Sequence, residues 1–355
     1  MTEIGSITLI KIFIPAALTF VVGVSIAPIL TQYFHKHRMW KRISRKSAEK
    51  TDAFKKIHNE AGELSTPRVG GVIIWLSVAI VVLAFVLLAW IFPSPLTEKL
   101  NFLSRGQTFI PLFALVAAAL VGLSDDLLQI FGKGGYAADD IVYRKIKAGT
   151  IIFIGLLIGW WFVAKLGVTA VHVPFYGELE LGYLFVPFFI IIMLATFSTS
   201  VIDGIDGLAA GVLAPVFIGY AIIAFFNNQI DLAAFSSAVA GGILAFLWFN
   251  IPPAKFYMGE TGMLGLTVTL SVLAFMTDTV FILPIIALPL VVTSLSVIIQ
   301  MASRSFRNGK RVFLVAPLHH HFEALGWPSY KVTMRYWVLA MVSVVVGVIL
   351  ALLSK

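Results

Sequence analysis

The chain has 355 residues, 59% of them hydrophobic and 12% charged. A soluble domain carries about 25% charged residues, so this composition excludes an ordinary water-soluble core and calls for lipid-facing helices. The net charge is +8 and cysteine is absent; the first is read as a positive-inside bias rather than a nucleic-acid surface, and the second excludes disulfides and thiolate metal sites.

Apolar runs of about 20 residues, long enough to span a bilayer, fall at 9–34, 70–92, 108–127, 148–167, 184–201, 208–227, 232–250, 261–277, 279–302 and 335–353. The first is too long for a signal-peptide core and lacks an early small-residue cleavage site, so it is read as a retained helix. Between the fourth and fifth runs, Val171, Val173 and Phe175 alternate before Tyr176-Gly177, and Leu179 and Leu181 alternate after it. That pattern predicts a small β-hairpin. Thr277, Asp278 and Thr279 separate the eighth run from the ninth, and Pro284 and Pro289 predict a broken ninth helix. No internal repeat is visible. The expected fold class is an all-α integral membrane protein of ten transmembrane helices, with residues 1–355 forming a single domain. If the loop after the first run is cytoplasmic, the cytoplasmic loops 35–68, 128–147, 251–260 and 303–335 hold 21 of the 26 Lys and Arg. This split predicts that both termini are extracytoplasmic.

A charge in the bilayer core costs about 2.5–3.5 kcal/mol, so acidic residues at span ends ask for a reason. Asp125 and Asp126 end the third run. Adjacent carboxylates repel and face the negative end of a helix dipole, and a divalent cation would relieve both; a solvated helix end is the plain alternative. Asp203-Gly204-Ile205-Asp206-Gly207 joins the fifth and sixth runs. Its glycines let backbone amides approach a ligand, although Asp-Gly pairs also make simple turns. Asn250, Lys255, Phe256, Tyr257 and Glu260 crowd a proline-rich connector that is richer than a bare turn needs. Finally, Leu318-His319-His320-His321-Phe322-Glu323 lies in a basic loop. Three consecutive histidines cannot face one zinc from a regular helix or strand, so phosphate or sugar hydrogen bonding is more natural; a solvated polar loop is the alternative. Together these clusters offer carboxylates for Mg²⁺, amides, aromatics and cations, which is what phosphoryl transfer uses.

The segments Gly122–Asp126, Asp203–Leu208, Phe249–Gly262 and Pro317–Trp327 resemble the signature loops of the polyprenyl-phosphate N-acetylhexosamine-1-phosphate transferase superfamily. The unbroken His319–Glu323 run is most similar to its phospho-N-acetylmuramoyl-pentapeptide transferase branch, and Thr66-Pro67-Arg68-Val69-Gly70-Gly71 resembles that branch's loop entering helix 2. The resemblance spans nearly the whole chain. It implies transfer of phospho-MurNAc-pentapeptide from UDP-MurNAc-pentapeptide to undecaprenyl phosphate, giving lipid I and UMP for peptidoglycan synthesis. It further implies Mg²⁺, a bacterial inner membrane and a homodimer, while the alternation of spans puts all four clusters at the cytoplasmic face and the charge split argues for no nucleic acid.

By the same resemblance, Asp125, Asp126, Asp203, Glu260 and His319 are the catalytic candidates, with Asp125, Asp126 and Glu260 as the metal set. Gly204, Ile205 and Asp206 belong to a uridine loop, Asn250 and Gln300 to nucleoside contacts, and Tyr257 to a stacking position. His320, His321, Ser200, Thr66 and Lys133 complete the expected substrate contacts. Arg144 and Lys147 share the basic loop of Lys133.

Departures from the family pattern are visible. The family has Asp at Glu260, Asn at Phe197 and Ser200, and a lysine near Glu63. Glutamate is one methylene longer, and misplacing a catalytic group by about 1 Å costs roughly 100-fold in rate unless the metal shifts toward Asp125 and Asp126. Two alternatives follow: a UDP-GlcNAc (or related) polyprenyl-phosphate phosphosugar transferase, and a catalytically impaired scaffold. A secondary transporter would instead place its ionisable residues at the bilayer midplane within repeats.

Overall fold

The computed structural model describes residues 3–40, 64–131 and 141–354, with side chains described for all of these except 3–6 and 141–144. Lys133 and Glu63 lie outside the described residues, as does the Arg144 side chain. Among the described residues, ten helices are long and apolar enough to cross a membrane. In chain order the helices are α1 (Glu3–Lys36), α2 (Val72–Ile91), α3 (Pro95–Leu100), α4 (Phe109–Ile130), α5 (Ile141–Leu166), α6 (Phe185–Ser198), α7 (Leu208–Phe226) and α8 (Ile230–Asn250). They continue with α9 (Gly259–Met276), α10 (Leu283–Ile286), α11 (Leu288–Phe306), α12 (Leu318–Ala324) and α13 (Ser329–Leu353).

Helix is the form that satisfies every backbone N–H and C=O internally when no water is at hand. The helices differ in how much they bury. The apolar window of α9 is 94% buried, against 28% for that of α1, so α9 is the central helix and α1 a lipid-facing one. Within α9 the hydroxyls of Thr267, Thr269 and Ser271 bond to carbonyls one turn back, so these polar side chains are satisfied inside the core. Helix α9 packs along α4, α1 along α8, and α7 against both α8 and α13.

The predicted hairpin forms: β1 (Ala170–Val173) pairs antiparallel with β2 (Gly177–Glu180), Val171 opposite Leu179. His172 bonds Ser354 O at 2.8 Å and ties the end of α13 to the hairpin. The predicted break also forms. Ala287 separates α10 from α11, and Pro284 and Pro289 each sit in a first turn, where a missing N–H leaves no helix bond unmade. The long segment therefore begins at Leu288, because residues 279–282 are a turn. The histidine run, expected in a loop, forms the short helix α12.

Candidate active site at the helix ends

The site grows from one local problem. Helix α9 starts inside the protein, and its first N–H groups have no intrahelical acceptor. Two aspartates from other elements supply the acceptors. Asp126, fully buried near the C-terminal end of α4, accepts from Glu260 N at 3.0 Å and Thr261 N at 2.9 Å. Asp203, after α6, accepts from Gly259 N at 3.3 Å. Both carboxylates thus face the positive end of the α9 dipole. Gly259 permits this tight start: its φ is +71°, and an added Cβ would stand 2.6 Å from Asp126 Oδ2.

Asp125 uses a different partner. Its Oδ2 accepts from Lys147 Nζ at 2.7 Å and from Gln129 Nε2 at 3.1 Å. The same ammonium reaches Glu260 Oε2 at 3.3 Å, and it sits 5.8 Å from the centre of the Phe197 ring. The repulsion expected within the acidic pair is therefore relieved by protein groups: Asp126 by α9, Asp125 by Lys147.

The Asp203–Gly207 loop is tied on all sides. Asp206 Oδ2 accepts from Ala254 N at 3.0 Å. Asn250 bridges Gly207 N and Phe256 O, at 2.9 and 2.8 Å. Thr333 donates to Asp206 O and Trp337 to Gly207 O, both from α13. The Ser200 carbonyl accepts from Asp203 N, and Ile205 packs against the core. Tyr257 is held beside the loop by its backbone, its N–H donating to Pro67 O at 2.8 Å.

Helix α12 brings the histidines over this loop. An added Cβ at Gly204 would stand 2.5 Å from His319 Nε2 and 3.1 Å from His320 Nε2, so only glycine lets both imidazoles close on the loop. His320 is oriented by Glu323 at 2.6 Å. His321 accepts from Leu314 N through Nδ1. The Gln300 amide is engaged by the chain itself: it accepts from Val312 N and Phe313 N and donates to Phe313 O, so it braces the approach to α12. His319 is fully buried, and neither ring nitrogen has a hydrogen-bond partner.

Electrostatics follow burial. Burial pushes the Asp203 carboxyl up to about 6, partly countered by the Arg68 guanidinium. Burial likewise raises Asp206, and it lowers His319 well below the usual histidine range, helped by neighbouring His320. His319 is therefore neutral near pH 7, with one donor and one acceptor to offer.

Among the described residues no group of three or more carboxylates or imidazoles is arranged to hold a metal ion. Asp125 and Glu260 nevertheless converge on one cation, Lys147, and Glu260 Oε2 is a buried oxygen with no hydrogen bond. That set fits Mg²⁺, which takes one or two carboxylates and completes its shell with phosphate oxygens and water.

The structure thus draws Asp125, Asp126, Asp203, Glu260, His319 and the Asp206 loop to one end of the bundle. Two contributors were not singled out from the sequence: Arg68, and Lys147 as an ion partner. Arg68 lies in the Thr66–Gly71 motif and Lys147 in the basic loop, so the only available signal was positive charge near the acidic clusters.

Comparison with known proteins adds an independent finding. Residues 108–278 match the family model described as glycosyl transferase family 4. The phospho-N-acetylmuramoyl-pentapeptide-transferase of Anoxybacillus flavithermus is 32% identical over 95% of this chain and 97% of its own length. The protein of the same name from Moorella thermoacetica is 36% identical over 80% of this chain and 84% of its own. That from Chloroflexus aggregans is 30% identical over 95% and 89%.

Proposed function

The chain belongs to the phospho-N-acetylmuramoyl-pentapeptide-transferase family, and on that premise we propose how its residues carry out the reaction. It is a multi-pass bacterial membrane transferase that makes lipid I: phospho-MurNAc-pentapeptide passes from UDP-MurNAc-pentapeptide to a membrane lipid carrier, undecaprenyl phosphate. An acceptor phosphate oxygen forms a bond to the donor β-phosphorus. The bond from that phosphorus to the bridging oxygen breaks, and its electron pair leaves on UMP.

The observation that carries the reading is the shared junction at the start of α9. There Asp126 and Asp203 are fixed by α9 amides while Asp125 and Glu260 converge on one cation. Asp125 and Glu260, with Asp126 behind them, would hold Mg²⁺, which when bound supplies charge neutralisation of the pyrophosphate. Lys147 and Arg68 add fixed positive charge toward the phosphates. His319 and His320, closed over Gly204, offer ring nitrogens to the donor's phosphate or sugar. The Asp203–Gly207 loop, pinned by Asn250 and α13, is a preorganised seat for the nucleoside, and Tyr257 stands beside it as an aromatic wall. No protein base is needed, since the second pKa of a phosphate monoester is about 6.

The positive-inside split supports a site at the cytoplasmic face, with both termini outside. The reading extends to a homodimer, which the particle mass in nanodiscs tests. The deciding experiment is radiolabelled transfer to undecaprenyl phosphate in nanodiscs, with and without Mg²⁺, using UDP-MurNAc-pentapeptide and UDP-GlcNAc as rival donors. Magnesium-dependent transfer from the muramoyl donor is expected. Transfer from UDP-GlcNAc alone would move the chain to a sibling chemistry, and none from either would make it a scaffold.

A further inference from the structure

The candidate site uses one face of α13, through Thr333 and Trp337. The opposite face of its first turns is organised as well. Lys331 and Arg335 are exposed, four residues apart, and therefore side by side on the helix. Both gather on the Trp327 indole: Arg335 Cζ is 4.1 Å from the ring centre and Lys331 Nζ 5.5 Å. Trp327 is in turn stacked on Phe322, with centroids 4.9 Å apart and planes at 18°. Among the described residues, neither cation has a carboxylate partner. Two unpaired cations on one aromatic plate form a compact positive patch at the end of a membrane span.

Beside this patch opens a cavity of about 400 Å³ whose walls are nearly all apolar. Val332 and Tyr336 form its buried floor, and Val338 and Leu339, 61% and 54% exposed, form its lip. The exposed apolar row continues along the helix through Val342, Val345 and Ile349. Charge at the interface, an indole at headgroup depth and an apolar slot leading into the bilayer fit one class of molecule. Basic pockets at span ends bind anionic headgroups, and Trp sits at the same depth.

We infer that Lys331, Arg335 and the Phe322–Trp327 cavity form a non-catalytic site for an anionic phospholipid, its phosphate on the two cations and the start of one acyl chain in the slot. The site is distinct from the nucleoside seat, because Thr333 and Trp337, which reach the Asp203–Gly207 loop, lie across the helix from it.

The test uses the full chain, delipidated in detergent and incubated with phosphatidylglycerol or phosphatidylcholine, with retained lipid counted by native mass spectrometry. Phosphatidylglycerol is expected to be retained at least about tenfold better. The K331Q/R335Q pair should erase that preference. L339W, which fills the slot without touching charge, should weaken retention of both lipids. A thermal midpoint shared by all three proteins shows that they are folded. Equal retention of the two lipids by the unaltered chain, or an undiminished preference in K331Q/R335Q, overturns the assignment. Displacement of the bound phosphatidylglycerol by equimolar undecaprenyl phosphate overturns it too, because the site would then be the acceptor's. None of these readouts depends on transferase activity.

Discussion

Lys147 Nζ stands 2.7 Å from Asp125 Oδ2 and 3.3 Å from Glu260 Oε2, so one ammonium joins two carboxylates from helices α4 and α9. Asp125 is almost fully buried and Lys147 mostly so, which makes this more than a surface pair. Removing one partner of a buried pair leaves the other charge uncompensated and costs about 3 kcal/mol. K147M is therefore expected to lower the thermal midpoint in detergent. Mg²⁺ should restore part of that loss, and should raise the midpoint of K147M more than that of the unaltered protein. Equal magnesium shifts in the two would mean that Asp125 and Glu260 do not share a cation site.

Asp203 carries a second, opposite-looking effect. Its carboxyl is raised to about 6, above the ordinary aspartate value of 3.8, chiefly by burial. The folded protein thus holds a proton that the unfolded chain has released, and the resulting stability is present below about pH 4 and lost as pH rises through 6. The shift corresponds to at most roughly 3 kcal/mol. D203N keeps an acceptor for Gly259 N and removes the ionisation. It is expected to flatten stability between pH 4 and 6 and to raise the thermal midpoint at pH 7.5, while transfer activity falls. A midpoint at pH 7.5 below that of the parent would contradict the account.

His319 titrates with the reverse sign. Its folded pKa lies well below the usual 6.5, so acidification protonates the unfolded chain first. Stability should therefore decline as pH falls below about 6.5, down to the folded value. H319Q, which cannot titrate, is expected to lose that acid-side decline. Melting curves of H319Q and parent between pH 5 and 7 check this; parallel curves would show that another group is responsible.

These pairings mark where sequence stops being informative. Hydropathy reports on the bilayer, so the ten spans, the hairpin after Leu166 and the break between Pro284 and Pro289 were all legible. The acidic and histidine clusters were legible because charge at a span end is costly. The partners were not. Lys147 and Asp125 are 22 residues apart, and Asp126 and Thr261 are 135 apart. Such contacts depend on helix crossing, which composition does not encode. Gln300 and Asn250 illustrate the same limit. The resemblance placed both at nucleoside contacts, and their hold on the protein's own backbone shows only in three dimensions. The substitution of Phe197 for the family's asparagine likewise gains a rationale only in three dimensions, where its ring lies beside Lys147.

Gly204 and His319 offer the sharpest test of whether the histidine helix must close on the Asp203–Gly207 loop. The loop position is exposed and its φ is not in the left-handed region, so G204A carries no backbone penalty of its own. The new methyl would instead stand 2.5 Å from His319 Nε2, and the imidazole or all of α12 must move outward by about 1 Å. A displacement of that size at a reacting centre costs on the order of 100-fold in rate. G204A is therefore expected to keep the parent's thermal midpoint and lose about 100-fold in kcat/KM, with the loss mainly in kcat if His319 meets the donor phosphates in the transition state. Replacing His319 with alanine in the G204A background should add little further loss, because the two changes act on one contact. A fully active G204A, or losses that simply multiply in the double variant, would remove His319 from the reacting centre.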